Sequence, residues 1–315
     1  MTRVVAGEAL IDRVTRPDGS VHEIPGGGPF NTARTLARQG IATSFVGRLS
    51  TDPAGRRLRD ELAVDGVDQA HVVTTDDPTT TAHARLDERG TATYRFDLDG
   101  TSAAGLTLAD VLATGLRPDA IEVLHVGTLG LVLEPSGAAI ERLVEDVDAS
   151  CLVMLDPNAR PSATRDPDAH RARIARLAAR ADVVKVSVDD LRYLAADGEV
   201  ETGLSGLLAA GGRPIVLVTD GAASVEVVSA TDRRRLPVPP VTVVDSVGAG
   251  DAFGGGFLAA WVDDGRGRAG LADLDAVEAA TRRAIAVAAL TCTRSGAQPP
   301  TRHEVDQFLA AGTDR

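Results

Sequence analysis

The stretch Asp245-Ser246-Val247-Gly248-Ala249-Gly250-Asp251-Ala252-Phe253 decides how this chain is read. A β-like apolar run ends at Val243-Val244, a Gly-x-Gly turn follows, and a helical apolar pattern then runs over 247–262. Glycines let a backbone turn with positive φ and let a ligand approach it closely. The first N–H groups of a helix have no intrahelical acceptor, and the positive end of the helix dipole lies behind them. Together these features make an anion site out of backbone. Asp251 falls in the first turn, where a carboxylate is also an ordinary helix-start residue. That reading leaves Asp245, six residues earlier, and the paired glycines without a reason. A chance match to the five fixed residues (Asp, Gly, Gly, Asp, Phe) comes to about one in a million per position at average usage.

Outward from this segment, short apolar runs alternate with helical patterns. Runs at 44–47, 121–126, 152–155, 183–186 and 215–218 read as buried strands, and 30–39, 135–147, 169–181 and 188–196 as helices. That alternation predicts an α/β fold with a mostly parallel central sheet covered on both faces. Two regions break the pattern. Stretches 4–14 and 21–24 read as strands joined by a turn at Pro17-Asp18-Gly19, and 79–97 alternates strictly around Asp87-Glu88-Arg89-Gly90, a hairpin signature. These segments, near 8–25 and 79–97, are expected to form a small β-lid outside the main sheet. Beyond them come strands at 224–228 and 235–238 and helices at 247–262 and 274–291. No linker forces a second unit, so 1–315 is expected to be a single domain.

The 315 residues are 43% hydrophobic and 25% charged, as in ordinary globular chains. The 33 Lys+Arg and 45 Asp+Glu leave a formal net charge of −12, which argues against nucleic-acid and anionic-membrane partners. Lysine occurs once, at Lys185. No apolar run is long enough to span a bilayer, and residues 1–11 lack a basic region followed by an apolar one. Cys151 and Cys292 have no metal-ligand spacing and read as reduced core residues of a cytoplasmic protein.

The 245–253 segment resembles the C-terminal signature of the ribokinase-like (PfkB-type) sugar kinases, and Gly26-Gly27-Gly28-Pro29-Phe30-Asn31 resembles their N-terminal one. Gly7-Glu8 with Asp12, Asp156-Pro157-Asn158-Ala159-Arg160, Thr219-Asp220-Gly221 and Thr293-Arg294-Ser295-Gly296-Ala297-Gln298 match further, in family order and over nearly the whole chain. The resemblance implies a three-layer α/β/α sandwich with a β-lid. It also implies transfer of the γ-phosphoryl group of ATP to a sugar hydroxyl.

Roles follow by resemblance. Asp251 is the general base, and the N–H groups of Gly248, Ala249 and Gly250 form the anion hole. Asp12, Gly26, Gly27, Asn31, Phe96 and Arg160 bind the sugar; His125 and Thr128 are weaker candidates. Ser187, Thr219 and Gly221 lie by the nucleotide. The family usually has Asn-x-x-Glu where this chain reads Ser187-Val188-Asp189-Asp190, so Asp190 is expected to reach Mg²⁺ through water. Ser187 and Asp190 also fit a helix cap. Asp245, with backbone oxygens of Val247, Thr291, Arg294 and Gly296, matches a monovalent-cation site; Pro300 stands where relatives often have serine, which puts K⁺ in doubt.

The motif Asp156-Pro157-Asn158-Ala159-Arg160-Pro161 and the lid residues Tyr94-Arg95-Phe96 are most similar to fructokinases. A 2-keto-3-deoxygluconate kinase is the runner-up, because Arg160 could hold a sugar-acid carboxylate. Ribokinase or nucleoside kinase follows. A catalytically silent sugar-binding member would lose the base or the glycines, and a dinucleotide oxidoreductase needs a Gly-x-Gly-x-x-Gly after the first strand that is absent here. Pairing through exposed lid strands is a further implication of the resemblance. The charge of −12 does not exclude ATP: helix-start amides, Mg²⁺ and one arginine can hold it locally, without lysine.

Overall fold

The computed structural model describes residues 2–15, 17–86, 92–212 and 214–313. In chain order the strands are β1 (Thr2–Ala6), β2 (Leu10–Thr15), β3 (Val21–Gly26), β4 (Ser44–Ser50), β5 (Val72–Thr75), β6 (Thr81–Leu86), β7 (Ala92–Asp97), β8 (Ile121–Gly127), β9 (Leu152–Asp156), β10 (Val183–Ser187), β11 (Ile215–Asp220), β12 (Ser224–Val228) and β13 (Arg233–Pro237). The helices are α1 (Gly28–Arg38), α2 (Pro53–Val64), α3 (Leu108–Ala113), α4 (Ser136–Asp146), α5 (Pro167–Arg180), α6 (Val188–Leu194), α7 (Val200–Leu208), α8 (Ala249–Asp263), α9 (Leu274–Cys292) and α10 (Arg302–Thr313).

Nine strands make the central sheet in the order β13-β12-β11-β10-β9-β8-β1-β4-β5. Pairing is parallel from β5 to β11 and antiparallel for β12 and β13. Strands β8 to β11 are near-continuous Val, Leu and Ile because both faces are covered. Side chains alternate between the faces. Val123, Met154, Val183 and Leu217 face Phe30 and Leu36 of α1, Leu58 of α2, Phe253 and Phe257 of α8 and Val277 of α9. Leu124, Leu155, Val184 and Val216 face Ile140 and Leu143 of α4, Ile174 of α5, Leu191 of α6 and Leu204 of α7. The result is the expected α/β/α sandwich.

The lid is a separate four-stranded sheet in the order β3-β2-β6-β7, not an extension of the main sheet. The expected turn at Asp87-Glu88-Arg89-Gly90 lies outside the described residues. Leu10 and Ala82 of the lid pack with Ala103, Leu129 and Leu133, which anchors it over one end of the sandwich.

Two expectations fail. The 4–14 run is not one strand: it breaks at Gly7-Glu8-Ala9, so β1 lies inside the central sheet and β2 in the lid. The break is held by Glu8, whose buried carboxyl group accepts from Gly28 N–H at 3.0 Å and Gly130 N–H at 2.8 Å. Val243-Val244 is not a strand end either. Both side chains are exposed, and the N–H groups of Val244 and Asp245 donate to the carbonyl of Cys292, tying the segment to the end of α9. Both cysteines are free thiols, Cys151 buried and Cys292 half-buried.

Candidate active site

Parallel strands deliver side chains to the edge of the sheet where their C-terminal ends lie, and α/β folds bind ligands there. Here β8 ends before Thr128, β9 at Asp156, β10 at Ser187 and β11 at Asp220. The first turns of α1 and α8 close over the same edge. Thr128 (φ 59) and Asn158 (φ 38) are the non-glycine residues with positive φ among those described. They follow β8 and β9, and each such conformation costs on the order of 1–3 kcal/mol.

Asp251 sits buried in the first turn of α8. Its Oδ2 accepts from Asn31 Nδ2 at 2.8 Å and its Oδ1 from Asn158 Nδ2 at 3.5 Å. Burial raises the Asp251 carboxyl, while the Asn31 hydrogen bond and the charges of Lys185 and Arg160 pull it down. Asn31 is itself buried in α1, not an exposed helix-start residue. Gly248 starts α8 with a left-handed φ of 75, which carries the chain into the helix without Cβ strain. Ala249 N–H is committed, donating to Ser246 O at 3.2 Å. Gly248, Gly250 and Asp251 supply the remaining first-turn amides, which have no acceptor one turn back.

Asp12, on the lid strand β2, lies against Gly26 and faces Asp251 and Arg160. Burial pushes its carboxyl up to about 6. Arg160 donates to its neighbours' carbonyls, Asn158 O and Ala159 O, both at 3.1 Å, and makes no ion pair among the described residues. Gly27 caps α1. Phe96 packs against the cluster of Leu10, Ala82 and Leu129 under the lid.

Ser187 and Asp190 form the capping box of α6. Ser187 Oγ accepts from Asp190 N–H at 3.0 Å, and Asp190 Oδ2 accepts from Ser187 N–H at 2.8 Å. Asp190 Oδ1 accepts from Ala159 N–H at 2.7 Å, which ties the turn after β9 to α6. Thr219 pairs with Ser187 in register and donates to Val186 O at 3.3 Å; Gly221 turns the chain beyond it. Asp245 bridges two loops, accepting from Val247 N–H at 3.0 Å and Gly296 N–H at 2.9 Å. The carbonyls of Thr291 and Gly296 accept from Arg294 N–H and Gln298 N–H. The side chain of Arg294 pairs with Glu304 at 2.7 Å. Among the described residues no three His, Cys, Asp or Glu side chains form a metal cage.

Four buried side chains complete the floor. Lys185 Nζ meets Asp156 Oδ2 at 3.0 Å. His125 lies beneath Gly254 with neither ring nitrogen hydrogen-bonded, and burial pushes it down to about 3, so it is neutral. Burial pushes Glu8 up to about 8.

This arrangement brings a buried carboxylate, the first-turn amides of α8 and the side chains of Asp12, Asn31, Asn158 and Arg160 to one edge of the sheet. The sequence matches the family described as "pfkB family carbohydrate kinase" over residues 2–304. The chain belongs to that family. As a carbohydrate kinase it is 38% identical over 258 residues to a fructokinase of Rhizobium leguminosarum bv. trifolii, covering 80% of this chain and 77% of that one. The structure of a fructokinase from Xylella fastidiosa with bound ATP superposes with a TM-score of 0.90 at 28% identity, over 99% of each chain. A fructokinase from Vibrio cholerae O395 in a fructose-, ADP- and calcium-bound form gives 0.86 at 28% identity, over 98% of this chain and 99% of that one.

Sequence reading of this kinase missed Lys185, Asp156 as its partner, and the work of Glu8. The sequence reading assigns an anion site that needs no lysine; in the structure the chain's one lysine lies against Gly250, one of the residues assigned to that site. Its rarity was the available signal: one lysine among 33 basic residues.

Proposed function

We propose that this kinase is an ATP-dependent fructokinase. The carrying observation is the buried Asn31–Asp251 pair beside the free amides of Gly248 and Gly250, with Asp12, Asn158 and Arg160 facing the same point. In this reading Asp12 accepts from sugar hydroxyls and Asn31, Gly26 and Gly27 line the sugar, with Phe96 packing behind. Asp251 takes the proton of the attacking hydroxyl, and its raised carboxyl makes it a better base than an exposed aspartate. The helix-start amides receive the charge that develops on the transferring phosphoryl group.

The nucleotide is assigned to the ends of β10 and β11, against Ser187, Thr219 and Gly221. Mg²⁺ would enter with the phosphates of ATP, whose charge it offsets. Asp190 suits an outer role there: Oδ2 is taken up by Ser187, and Oδ1 keeps one lone pair for a metal-bound water. A monovalent cation is assigned to the loops that Asp245 joins. The lid edges β3 and β7 are assigned a pairing role in a homodimer.

A coupled ADP-release assay across fructose, 2-keto-3-deoxygluconate, ribose and adenosine tests the reading. Fructose is expected to give the highest kcat/KM. A preference for the sugar acid would move the assignment to the second reading, which the unpaired Arg160 guanidinium favours. Activity on none would undo the substrate assignment.

A further inference from the structure

We propose that Lys185 is a positioning residue for phosphoryl transfer: its ammonium, clamped by Asp156 beneath Gly250, seats the first turn of α8 and supplies the positive charge that Asp251 works against. The inference rests on Asp251 acting as the base.

Three observations point to it. The first is placement. Val183 of β10 and Met154 of β9 are side by side in the sheet, and Lys185 and Asp156 follow two residues later on the same face, towards α8. A Cβ added to Gly250 would come within 2.8 Å of Lys185 Nζ, so the ammonium lies directly against the backbone of the anion site. The second is energetic. A cation at the start of a helix is opposed by the helix dipole, and a buried ion pair stabilises a fold no better than an apolar pair of the same volume. Stability alone therefore does not account for the pair being where it is. An incoming phosphoryl group adds to the carboxylates that favour a positive charge there. The third is composition. This chain uses arginine for its other basic side chains and keeps a single lysine, 3% exposed, at this point. Lysine offers a compact point charge, whereas a guanidinium is a wide planar fork.

Lys185 faces Asp156 from β9, Asp190 from α6, Asp251 from α8 and neutral His125 from β8. Burial alone would draw the lysine down, but the three carboxylates outweigh it and hold Lys185 protonated. Asp251 faces Lys185, Arg160 from the turn after β9, Asp12 from β2, Glu8 after β1 and Asp156. Its uncharged neighbours are Asn31 and Thr32 of α1 and Asn158. Removal of Lys185 thus leaves Asp251 among carboxylates, with Arg160 as its remaining positive neighbour.

The test is the pH profile of kcat, from about pH 5 to 9, for Lys185→Met, Lys185→Arg and the double variant Lys185→Met/Asp156→Asn. The double variant guards against misfolding, because it leaves no unpaired buried charge. For both methionine variants kcat is expected to fall by about 10²-fold or more, with KM for sugar and ATP within about threefold. Their acid limb is expected to move up by one pH unit or more, the usual effect of losing an adjacent opposite charge. Lys185→Arg, which keeps the charge but not the fit, is expected to lose about tenfold in kcat while its acid limb stays in place. A folded double variant with kcat within threefold of wild type and an unmoved acid limb overturns the proposal. Asp251→Asn runs alongside: if it retains turnover, the assignment of the base has failed, and the lysine is not what was at fault.

Discussion

Asn31 Nδ2 donates to Asp251 Oδ2 at 2.8 Å, a contact between residues 220 positions apart that fastens the first turn of α1 to the first turn of α8. The segments that begin at Gly26 and at Gly248 are therefore joined by one hydrogen bond. It also commits one amide hydrogen of Asn31 to the carboxylate and fixes its orientation, with Oδ1 in longer contact with Asn158 Nδ2 at 3.5 Å.

Asp251→Asn tests that geometry with almost no change in shape. The carboxamide cannot take a proton from the attacking hydroxyl, so kcat is expected to fall by about 10²-fold or more, in the range for loss of a general base. Stability should hold, because a buried carboxyl raised by desolvation is replaced by a neutral group. Steady-state kinetics with a thermal melt read both. Near-wild-type turnover of the folded variant rules Asp251 out as the base.

Asp12→Asn separates binding from chemistry. Hydrogen bonds to a charged acceptor contribute about 1.5–3 kcal/mol, so KM for the sugar should rise by about 10- to 150-fold, with kcat within a few-fold. The Asp12 carboxyl titrates near 6, so wild-type kcat/KM should decline on the acid side with a midpoint in that region as the acceptor is lost. A large kcat loss with KM unchanged would instead move Asp12 into the chemical step.

Glu8 gives a stability prediction whose sign can be worked out. Its carboxyl goes from 4.5 when unfolded to about 8 in the fold, so between these values the native state binds more protons than the unfolded one. The stability it contributes is full below about 4.5 and is lost as pH rises through about 8. Glu8→Gln cannot titrate and is expected to have a lower Tm, since one of Gly28 N–H and Gly130 N–H must face the amide nitrogen. The gap in Tm between wild type and variant should narrow from pH 5.5 to 8.5. A gap that widens over that range contradicts the burial argument.

The elements legible in the sequence are those whose signal is local. Strands β8 to β11 announce themselves as short apolar runs because both faces are buried, and the lid shows by alternation because only one face is. Ser187-x-x-Asp190 reads as a cap because capping spans one turn, and the observed box agrees. What was hidden depends on distant partners. The break at Glu8 is made by amides 20 and 122 residues away, so 4–14 reads as one apolar run. Val243-Val244 has the side chains of a strand but no strand beside it among the described residues. The Lys185 charge becomes meaningful only when β9, β10 and α8 are assembled.

A monovalent cation between the loops of Asp245 and Gly296 would act by stiffening the turn that leads into the anion site. Two of the four backbone oxygens assigned to it already accept from within the loop, those of Thr291 and Gly296. The expected activation is accordingly modest, a few-fold in kcat between K⁺ and Tris-only buffers, with Asp245→Ala abolishing the difference. Equal rates in K⁺, Na⁺ and Tris remove the cation from the site.

The chain's charge of −12 makes its nucleotide affinity the most exposed consequence of the local arrangement. The one lysine is locked to Asp156 at 3.0 Å, and Asp190 and Asp251 lie nearby. The field at the edge assigned to the nucleotide is thus not made positive by this lysine. Backbone amides supply partial charges, and the four negative charges of ATP need a second source of neutralisation, which Mg²⁺ provides. Calorimetric titration with ATP is expected to give a Kd at least tenfold weaker in excess EDTA than with Mg²⁺, and a weaker still Kd at lower ionic strength, because screening of the net charge falls. Equal affinity in the two buffers would mean that a side-chain cation is reaching the phosphates, and Arg160, which has no carboxylate partner among the described residues, is the first to substitute.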